Sequence, residues 1–287
     1  MDSGRKALGV IGHPIKHSLS AVMHNAVFRE LGLDYSYRAF DVERRDLMDF
    51  IYGCRERFLG LNVTIPHKVE VMGFLDEVDE GAQLIGAVNT VKFSDEGARG
   101  FNTDGVGCVR ALQEAGVSVR DKKILVLGAG GAARAISFQL VSEGASVSIS
   151  NREQERYMAE ELCRDIKEKL DVDAGVIDFS VEEIKNRLMQ TDILINTTPV
   201  GMQPKTGESV IPAEIIPPDV AVMDIVYNPV ETKLLREAKE NGCKTVNGVG
   251  MLVHQGAESL KIWIGIDAPI KVMEKAVLSE LLKPTIQ

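Results

Sequence analysis

The sequence predicts an α/β fold with two α/β domains. At 287 residues the chain is long enough for two domains of about 100–200 residues each. Short apolar runs alternate with segments of helical periodicity along most of it, which is the pattern of a sheet covered by helices. A glycine-rich turn follows one of these runs and is typical of a doubly wound sheet. The sequence therefore predicts one Rossmann-type domain within a two-domain chain.

The middle of the chain carries the more regular alternation. Strands are expected at residues 123–127, 145–150, 193–196, 220–224 and 245–246, with helices at about 131–141 and 153–170. Strands that alternate with helices in this way predict a parallel sheet with both faces covered.

The first hundred residues show a similar but less regular rhythm. Strands are expected at 8–11, 35–40, 59–63 and 87–91, and helices near 20–31, 44–57 and 104–115. The residues after 248 predict two helices, 251–264 and 270–282, and no strand. Since they do not extend the second sheet, we expect them to complete the first domain. The predicted domains are 1–104 together with 249–287, and 105–248.

The composition excludes several classes of protein. With 45% hydrophobic and 26% charged residues, the chain is too apolar to be disordered. No uncharged apolar run approaches the roughly 20 residues that a membrane-spanning helix needs. The first six residues lead directly into a predicted strand and lack the apolar core of a signal peptide. We therefore expect a soluble cytoplasmic protein.

The charge balance narrows the range of partners. There are 33 basic and 42 acidic residues, a net charge of −9, which argues against an extended surface for nucleic acid or membrane. A small anionic ligand needs only a local basic cluster, so a small-molecule substrate remains compatible with this charge. The oligomeric state is not readable from the sequence, and a homodimer is one state that it leaves open.

The four cysteines are spaced far apart, at Cys54, Cys108, Cys163 and Cys243. No Cys-x-x-Cys pair is present, so neither a zinc site nor a redox motif is indicated. We expect reduced thiols packed in the interior.

The glycine-rich turn has the sequence Gly128-Ala129-Gly130-Gly131-Ala132-Ala133, which fits the pattern G-x-G-x-x-A. Gly128 permits a tight turn, Gly130 lets the backbone approach a pyrophosphate, and Ala133 allows close packing of helix on sheet. The helix N-terminus supplies free N–H groups for the phosphates. An ordinary strand-to-helix turn is the alternative, but the position directly after an apolar strand favours a dinucleotide site.

The residues after the second strand of this domain indicate which dinucleotide binds. An NAD enzyme usually carries Asp or Glu here, whereas an Arg suits the 2′-phosphate of NADP. Asn151 is followed by Arg152 and, four residues later, Arg156, so both guanidinium groups could face one anion. Glu153 between them counts against this, and a solvated helix face is the alternative. On balance the pattern favours NADP.

Four polar clusters lie in apolar or glycine-rich surroundings in the first domain. Ser18 and Ser20 could cap a helix or bind a carboxylate at its N-terminus. Lys68 follows a predicted strand and would ordinarily be a surface residue, but beside a cleft it can act in acid–base chemistry. Taken singly, each cluster is more typical of structure than of catalysis. The clusters span residues 12–20, 62–68, 86–90 and 102–105.

Together these segments resemble the shikimate dehydrogenase family, from Gly9 almost to the C-terminus. Many motifs match in order, which makes the resemblance far more specific than any one of them. The matching segments are Gly12-His13-Pro14, His17-Ser18-Leu19-Ser20, His24-Asn25, Asn62-Val63-Thr64-Ile65-Pro66-His67-Lys68, Gly86-Ala87-Val88-Asn89-Thr90, Asn102-Thr103-Asp104-Gly105, residues 128–132, Asn151-Arg152, residues 196–202, residues 224–232 and residues 248–255.

The resemblance implies reversible NADPH-dependent reduction of 3-dehydroshikimate to shikimate, on the route to aromatic amino acids, with no metal. It also implies roles for residues. Lys68 and Asp104 match the catalytic pair. The positions expected to bind substrate are Ser18, Ser20, Thr64, Lys68, Asn89, Asp104, Tyr227 and Gln255. The positions expected to bind the dinucleotide are Gly128, Ala129, Gly130, Gly131, Ala132, Asn151, Arg152, Arg156, Ile225 and Gly248. Glu153 departs from the family pattern, because NADP-using members more often have a small hydroxyl residue there.

The residue types suit the implied reaction. As hydride reaches the carbonyl carbon, a Lys68 ammonium can stabilise the charge on the oxygen and supply a proton, with the Asp104 carboxylate orienting the lysine. Whether Lys68 donates the proton or only stabilises the charge stays open at this point. Because the nicotinamide carries the redox step, no metal is required.

Three other functions remain to be compared. A quinate/shikimate dehydrogenase that uses NAD or NADP is the first alternative. A non-catalytic nucleotide-binding regulator on the same fold would not need the paired Lys68 and Asp104. The methylene-tetrahydrofolate dehydrogenases share the fold only, and no motif here favours them.

Overall fold

The computed structural model describes residues 6–283, and they fold as two α/β units. The first unit comprises the described residues up to Thr103 and those from Gln255 onward, and the second comprises Asp104–His254. The sequence placed Asp104 and residues 249–254 in the first domain. In the structure they belong to the second unit. The two α/β units confirm the predicted fold class.

The first unit contains six strands and most of its helices before residue 104. Its strands are β1 (Ala7–Gly12), β2 (Ser36–Asp41), β3 (Phe58–Val63), β4 (Glu77–Val78), β5 (Thr90–Ser94) and β6 (Gly97–Phe101). Its helices in this part are α1 (Ser20–Glu30), α2 (Leu47–Cys54) and α3 (Glu80–Ile85), with 3₁₀ turns at Arg44–Asp46 and Glu70–Phe74.

The first sheet is mixed, with strand order β2-β1-β3-β5-β6-β4. β1 pairs in parallel with β2 and β3, whereas β5 runs antiparallel to both β3 and β6. Because β5 is antiparallel to β3, its first residue lies at the same edge of the sheet as the last residues of β1 and β3. Polar residues that follow β1 and β3 therefore meet residues that precede β5.

The C-terminal helices contribute to the first unit from Gln255 onward. The long helix α9 (Gly248–Ile264) belongs to the first unit from Gln255 onward, and α10 (Ile270–Leu281) packs against α1. Trp263 of α9 donates its indole N–H to the carbonyl of Val91 at 2.8 Å. A Cβ at Gly60 of β3 would lie 2.1 Å from the Trp263 Nε1, so glycine is required for this approach.

The second unit alternates strands and helices throughout. Its strands are β7 (Lys123–Leu127), β8 (Ser146–Asn151), β9 (Gly175–Asp178), β10 (Ile193–Asn196), β11 (Ala221–Asp224) and β12 (Thr245–Val246). Its helices are α4 (Asp104–Glu114), α5 (Gly131–Ser142), α6 (Arg156–Leu170), α7 (Val181–Leu188), α8 (Lys233–Glu240) and the first residues of α9.

The second sheet is parallel throughout, in the order β12-β11-β10-β7-β8-β9. Numbered within the unit, this is the doubly wound order 3-2-1-4-5-6, with its switch point between β7 and β10. Ligands in such sheets bind beyond the carboxyl ends of the strands at the switch point. The central strands β10 and β11 are buried along their whole length, whereas the edge strand β9 is not. One apolar cluster includes Leu125, Leu194 and Val222.

The cysteines are buried free thiols, which confirms the predicted packing. Burial is the largest cause of the raised pKa of each, and the Cys108 thiol reaches about 12. Among residues 6–283, no helix is long and apolar enough to cross a membrane. Residues 1–5, part of the segment on which the expectation of no signal peptide rests, lie outside the described residues.

Several short elements were not predicted, and one strand was misplaced. The strand expected at 87–91 begins at Thr90, because the chain turns at Gly86 (φ 75°) and Val88 bonds instead to the Lys68 carbonyl at 2.8 Å. β4, β6, β9 and α3 are too short or too rich in glycine to show a period. The helices α7 and α8 did carry a signal, since Ser180 and Thr232 accept capping hydrogen bonds at their N-termini.

Candidate active site

The first unit brings Thr64 and Asn89, two of the predicted polar residues, to one edge of its sheet. The backbone N–H of Thr64, directly after β3, bonds to the Ile11 carbonyl at 2.9 Å, and the Val63 N–H bonds to the Asn89 carbonyl at 2.8 Å. The ends of β1 and β3 and the start of β5 are thus joined at Thr64 and Asn89. This edge gathers segments that lie far apart in the chain.

Lys68 lies in a turn that a buried histidine holds in place. The ring of His67 is fully buried and its Nε2 bonds to the Val42 carbonyl at 2.7 Å. The Val88 N–H donates to the Lys68 carbonyl at 2.8 Å, which fixes the lysine backbone beside the segment that carries Asn89. Lys68 itself is half-buried, as is Thr64.

Ser18 and Ser20 precede and begin α1. Leu19 occupies the N-cap and makes no side-chain capping hydrogen bond. Their hydroxyls lie 3.3 Å apart, with the Ser18 Oγ also accepting from the Ser20 N–H at 3.4 Å. Two adjacent hydroxyls at a helix N-terminus are suited to bind an anion.

Asn89 is held tightly by its neighbours. It is 3% exposed, and its Oδ1 accepts the Thr103 N–H at 2.9 Å while its Nδ2 donates to the Thr103 Oγ1 at 3.0 Å. Gln255 is half-buried on α9, and its carbonyl accepts the Ser259 hydroxyl at 3.0 Å. The Asn89 side chain is therefore held by Thr103 within the first unit.

Asp104 begins α4 in the second unit and is 6% exposed. A carboxylate in the first turn of a helix is favoured by the helix dipole. The next residue, Gly105, packs so closely on α5 that a Cβ would lie 2.6 Å from the Ala135 carbonyl oxygen. The helix that carries Asp104 is thus fixed against the helix that begins at the glycine-rich turn.

The glycine-rich turn connects β7 to α5 at the switch point. Gly128 has φ +104°, and a Cβ there would lie 2.6 Å from the Thr197 Oγ1, so both backbone and packing require glycine. Gly130 is the N-cap of α5, and Gly131 is its first residue. A Cβ on either would meet no atom within 4 Å, and both residues are exposed.

The space around Gly130 and Gly131 bears on whether a dinucleotide fits at this turn. The fold itself does not require glycine at 130 or 131, whereas a ligand that approaches the backbone at the helix N-terminus does. Behind the turn, Ala129 and Ala133 are buried against the sheet, and Ala132 is half-buried. The residues present therefore fit a pyrophosphate at this turn.

The residues predicted to choose the dinucleotide follow β8. Asn151 is 8% exposed, and its Nδ2 donates to the Glu155 carbonyl at 3.0 Å. Arg152 pairs with Glu155, while Arg156 pairs with Asp178 and, at 2.9 Å, with Glu160.

The two arginines are therefore engaged by carboxylates and do not share one. The side chain of Arg152 is 65% exposed, and exposed ion pairs of this kind contribute only about 0–1 kcal/mol. A phosphate dianion can displace such partners at small cost. The side-chain hydrogen bond that Arg152 donates to Glu155 raises the pKa of Arg152, so the guanidinium keeps its charge.

The strands on the other side of the switch point end in a second polar group. Asp224, the last residue of β11, is fully buried, and its Oδ1 accepts from the Asn196 Nδ2 and the Val226 N–H, each at 3.0 Å. Its Oδ2 accepts the Thr232 hydroxyl at 2.7 Å. These bonds fix the loop that carries Ile225 and Tyr227, both half-buried.

Burial dominates the electrostatics of this loop. It raises the pKa of Asp224 to about 6, although hydrogen bonds from Thr232, Val226 and Asn196 act in the opposite direction. Burial also raises the pKa of the Tyr227 hydroxyl. Gly248 is buried against the same loop, where a Cβ would lie 2.2 Å from the Ile225 carbonyl oxygen. Only glycine fits at the start of α9.

Two groups of structural importance were not assigned a role from the sequence. Asn62 and Asp224 both lie within matched motifs, but a buried amide or carboxylate is not distinguishable from an exposed one by its sequence context. The signal that could have found them is position, since each lies at or next to the carboxyl end of a predicted strand.

Comparisons with known proteins identify the family. The model of the shikimate dehydrogenase substrate binding domain matches residues 10–91, that of shikimate / quinate 5-dehydrogenase matches 110–209, and that of the shikimate 5′-dehydrogenase C-terminal domain matches 248–278. A relative from Methanocaldococcus jannaschii named shikimate dehydrogenase (NADP(+)) is 48% identical over 281 residues, which is 97% of this chain and 98% of the relative.

Solved structures agree. A crystal structure of a shikimate dehydrogenase in complex with NADP⁺ matches with a TM-score of 0.91 and 45% identity, over 99% of this chain and 98% of that one. Shikimate 5-dehydrogenase from Listeria monocytogenes, in complex with shikimate and NAD, matches with a TM-score of 0.90 and 40% identity, over 94% of this chain and 96% of that one. The chain belongs to the shikimate dehydrogenase family.

Proposed function

We propose that the chain catalyses the reversible, NADP-dependent reduction of 3-dehydroshikimate to shikimate by hydride transfer, in the shikimate pathway of aromatic amino acid biosynthesis. The observation that carries the proposal is the open, glycine-lined helix N-terminus at the switch point of a doubly wound sheet, in a member of this family. In this proposal, residues 105–248 bind the dinucleotide, and residues 1–104 with 249–287 bind the substrate.

The proposed cofactor is NADP, which supplies the hydride when bound. The backbone N–H groups at Gly130 and Gly131 hold its pyrophosphate, because the lack of side chains lets the phosphates come close. Arg152 and Arg156 bind the 2′-phosphate in place of their present carboxylate partners. The full set of proposed cofactor residues is Gly128, Ala129, Gly130, Gly131, Ala132, Asn151, Arg152, Arg156, Ile225 and Gly248.

The proposed substrate residues divide by the group they bind. Ser18, Ser20 and Tyr227 bind the carboxylate, and their hydroxyls can all donate to it. Thr64, Asn89 and Gln255, with Lys68 and Asp104, bind the ring hydroxyls and the carbonyl. Support comes from the anchoring of Asn89 and the Lys68 backbone at one sheet edge of the first unit.

The proposed chemistry at the carbonyl rests on Lys68 and Asp104. Negative charge develops on the carbonyl oxygen as the carbon accepts hydride, and a Lys68 ammonium stabilises that charge and supplies the proton. In the reverse direction the lysine takes the proton back from the shikimate hydroxyl. Asp104 orients the lysine and accepts a hydrogen bond from the neighbouring hydroxyl of the ring.

The experiment is a steady-state assay of NADP reduction with shikimate, repeated with quinate and with NAD. We expect the highest kcat/KM for shikimate with NADP. Comparable kcat/KM values for quinate, or with NAD, would instead identify the dual-specificity alternative, which the exposed Glu153 beside Arg152 favours. Cofactor binding without turnover of either substrate would leave only the non-catalytic regulator.

Lys68→Ala and Asp104→Ala are each expected to lower kcat by about 10²–10⁴-fold, with a smaller effect on KM, because each removes a group that acts at the reacting oxygen. Lys205→Ala is a matched control, since the Lys205 side chain is 74% exposed and pairs only weakly with Glu208. Turnover at the wild-type rate in both active-site variants would refute the assignment.

Arg152→Ala is expected to weaken NADP binding by about 1.5–3 kcal/mol, because charged hydrogen bonds to the 2′-phosphate are lost. NAD lacks that phosphate, so its affinity should change little. Calorimetric titration of both dinucleotides measures the difference, with Arg164→Ala on the exposed face of α6 as the control. Equal weakening of NADP and NAD would show that Arg152 does not bind the 2′-phosphate.

A further inference from the structure

The first unit contains a buried hydrogen-bond network centred on Asn62. Asn62 lies on β3 opposite Thr90 of β5 and is 6% exposed. The Tyr37 hydroxyl donates to the Asn62 Oδ1 at 2.6 Å, and Tyr37 is 2% exposed. Because an amide oxygen can only accept, the Tyr37 hydroxyl is the donor in this bond, and the Asn62 Oδ1 is the end of the amide that faces Tyr37. The Nδ2 of Asn62 must then face the other way, toward β5 and α9.

The Nδ2 of Asn62 has three acceptors within reach. They are the Thr90 Oγ1 at 3.1 Å, the Ser259 Oγ at 3.0 Å and the Asn89 carbonyl oxygen at 3.2 Å. Thr90 and Ser259 are both fully buried. The Ser259 hydroxyl donates a hydrogen bond to the Gln255 carbonyl at 3.0 Å. One amide is thus linked to the backbone of both Asn89 and Gln255.

The Thr90 hydroxyl carries the network on to the Asn89 side chain. Its proton has two acceptors at 2.9 Å, the Asn89 Oδ1 and the Ser259 Oγ. Because the Asn89 Oδ1 can only accept, the Thr90–Asn89 bond has a single direction, from the Thr90 hydroxyl to the Asn89 amide oxygen. The Asn89 Oδ1 also receives the Thr103 N–H at 2.9 Å. The amide oxygen of Asn89 is therefore turned inward, and its orientation is set by donors on β5 and at Thr103.

We propose that Asn62 is a positioning residue that acts through Thr90 to fix the orientation of the Asn89 amide, and so sets the affinity for substrate without touching it. The assignment rests on the proposed function, in which Asn89 binds a ring hydroxyl of shikimate. A rotated Asn89 amide would present an acceptor where the substrate needs a donor. Orientation, not the mere presence of Asn89, is what the network maintains.

Two substitutions interrupt the network at different points. Asn62→Asp keeps the size and the acceptor for Tyr37 but replaces the donor with an oxygen, which draws the Thr90 proton away from Asn89. Thr90→Val removes the hydroxyl, has nearly the same shape and introduces no charge. Thr90→Ser restores the hydroxyl and is the matched control. Thr90→Val keeps the proposal testable if the buried carboxylate of Asn62→Asp prevents folding.

The readout is KM for shikimate measured separately from KM for NADP. Both Asn62→Asp and Thr90→Val are expected to raise KM for shikimate about tenfold, the loss of roughly one well-placed hydrogen bond, and to leave KM for NADP within about twofold. Thr90→Ser is expected to stay within about twofold of the wild type. In an Asn89→Ala background, Thr90→Val should add less than about a twofold change, because the residue it orients is gone.

The outcomes separate the two proposals. A wild type without shikimate turnover overturns the proposed function, and the positioning role with it. A wild type that turns over shikimate, with unchanged KM for shikimate in folded Asn62→Asp and Thr90→Val, overturns the positioning role alone. A lower thermal midpoint with both KM values unchanged identifies a merely structural role. Additive effects of Thr90→Val and Asn89→Ala on KM for shikimate would also overturn the positioning role.

Discussion

Each unit has a buried polar centre next to a predicted part of the site, and the two centres differ in charge. Asn62 in the first unit is a neutral amide that both accepts and donates. It accepts a hydrogen bond from Tyr37 and donates one to Thr90. Asp224 in the second unit accepts only, and draws in the Asn196 amide, the Val226 N–H and the Thr232 hydroxyl. The Asn62 amide helps to set the orientation of its neighbours, whereas the Asp224 carboxylate binds three chain segments at one point.

Charge also decides how each unit responds to acid. Near Asn62 the first unit buries the ring of His24, which is fully buried and stacks on Tyr37 with ring centroids 4.4 Å apart. Burial lowers the pKa of His24 to about 3, with the Asn62 side chain acting in the opposite direction. The titratable group of the first unit is therefore a buried base, and that of the second is a buried acid.

The larger effect is expected from His24. Its pKa is about 6.5 in the unfolded chain and about 3 in the folded one, so below pH 6.5 the unfolded state binds more protons. The free energy of unfolding therefore falls by about 1.4 kcal/mol for each pH unit below 6.5 until pH approaches 3. His24→Gln, similar in volume and without a titrating ring, should remove this slope.

Urea unfolding at pH 8 and pH 5 measures the difference. Between these values the free energy of unfolding of the wild type should fall by about 2 kcal/mol more than that of His24→Gln. Only the wild type has a histidine here that is protonated in the unfolded chain between pH 6.5 and pH 5. His24→Leu is the second variant, since it places no amide in the buried site. Equal losses in wild type and both variants would show that His24 is protonated in the folded protein.

An effect of opposite sign is expected from Asp224, and over the full titration range it is smaller than that of His24 because the pKa of Asp224 moves less far from its ordinary value. Its pKa is raised from 3.8 to about 6 in the folded protein, so between these values the folded state binds more protons. Stability from this group is therefore lost as pH rises from about 4 to 6, by about 3 kcal/mol in total, and is constant above. Asp224→Asn keeps the oxygen that accepts from Asn196 and Val226, and should abolish this contribution.

The measurement is the difference in free energy of unfolding between Asp224→Asn and wild type from pH 4 to pH 7. We expect the variant to gain relative to the wild type as pH rises, whereas His24→Gln should lose its relative gain over the same range. Identical pH profiles for Asp224→Asn and wild type would contradict a buried, titrating carboxylate. The two variants together thus separate a base in one unit from an acid in the other.

The sequence predicted the parts of the fold that local patterns encode. The glycine turn at 128–133 and the strands of the parallel sheet other than β9 were found because apolar runs and glycines mark them directly. The strand at Thr90–Ser94 was placed three residues early, since the turn at Gly86 and the bond from Val88 to the Lys68 carbonyl are tertiary features. β6, with two glycines in five residues, shows no period at all.

The site was predictable by resemblance in its residue identities but not in their organisation. No pattern in the sequence indicates that Asn62 faces Thr90, because that depends on the antiparallel register of β3 with β5. The carboxylate partners of Arg152 and Arg156 also depend on the fold, since Asp178 lies on a strand that the sequence did not reveal. Long-range pairing, rather than local propensity, is what the sequence alone leaves undetermined.

The contact between Gly60 and Trp263 restricts the order in which these two positions can change during evolution. The indole is fixed by its bond to the Val91 carbonyl, so it cannot move aside for a side chain at position 60. A mutation of Gly60 that comes first creates a clash, whereas a smaller residue at 263 only leaves a cavity, which a later side chain at 60 can fill. Lineages that have lost the glycine should therefore have lost the tryptophan earlier.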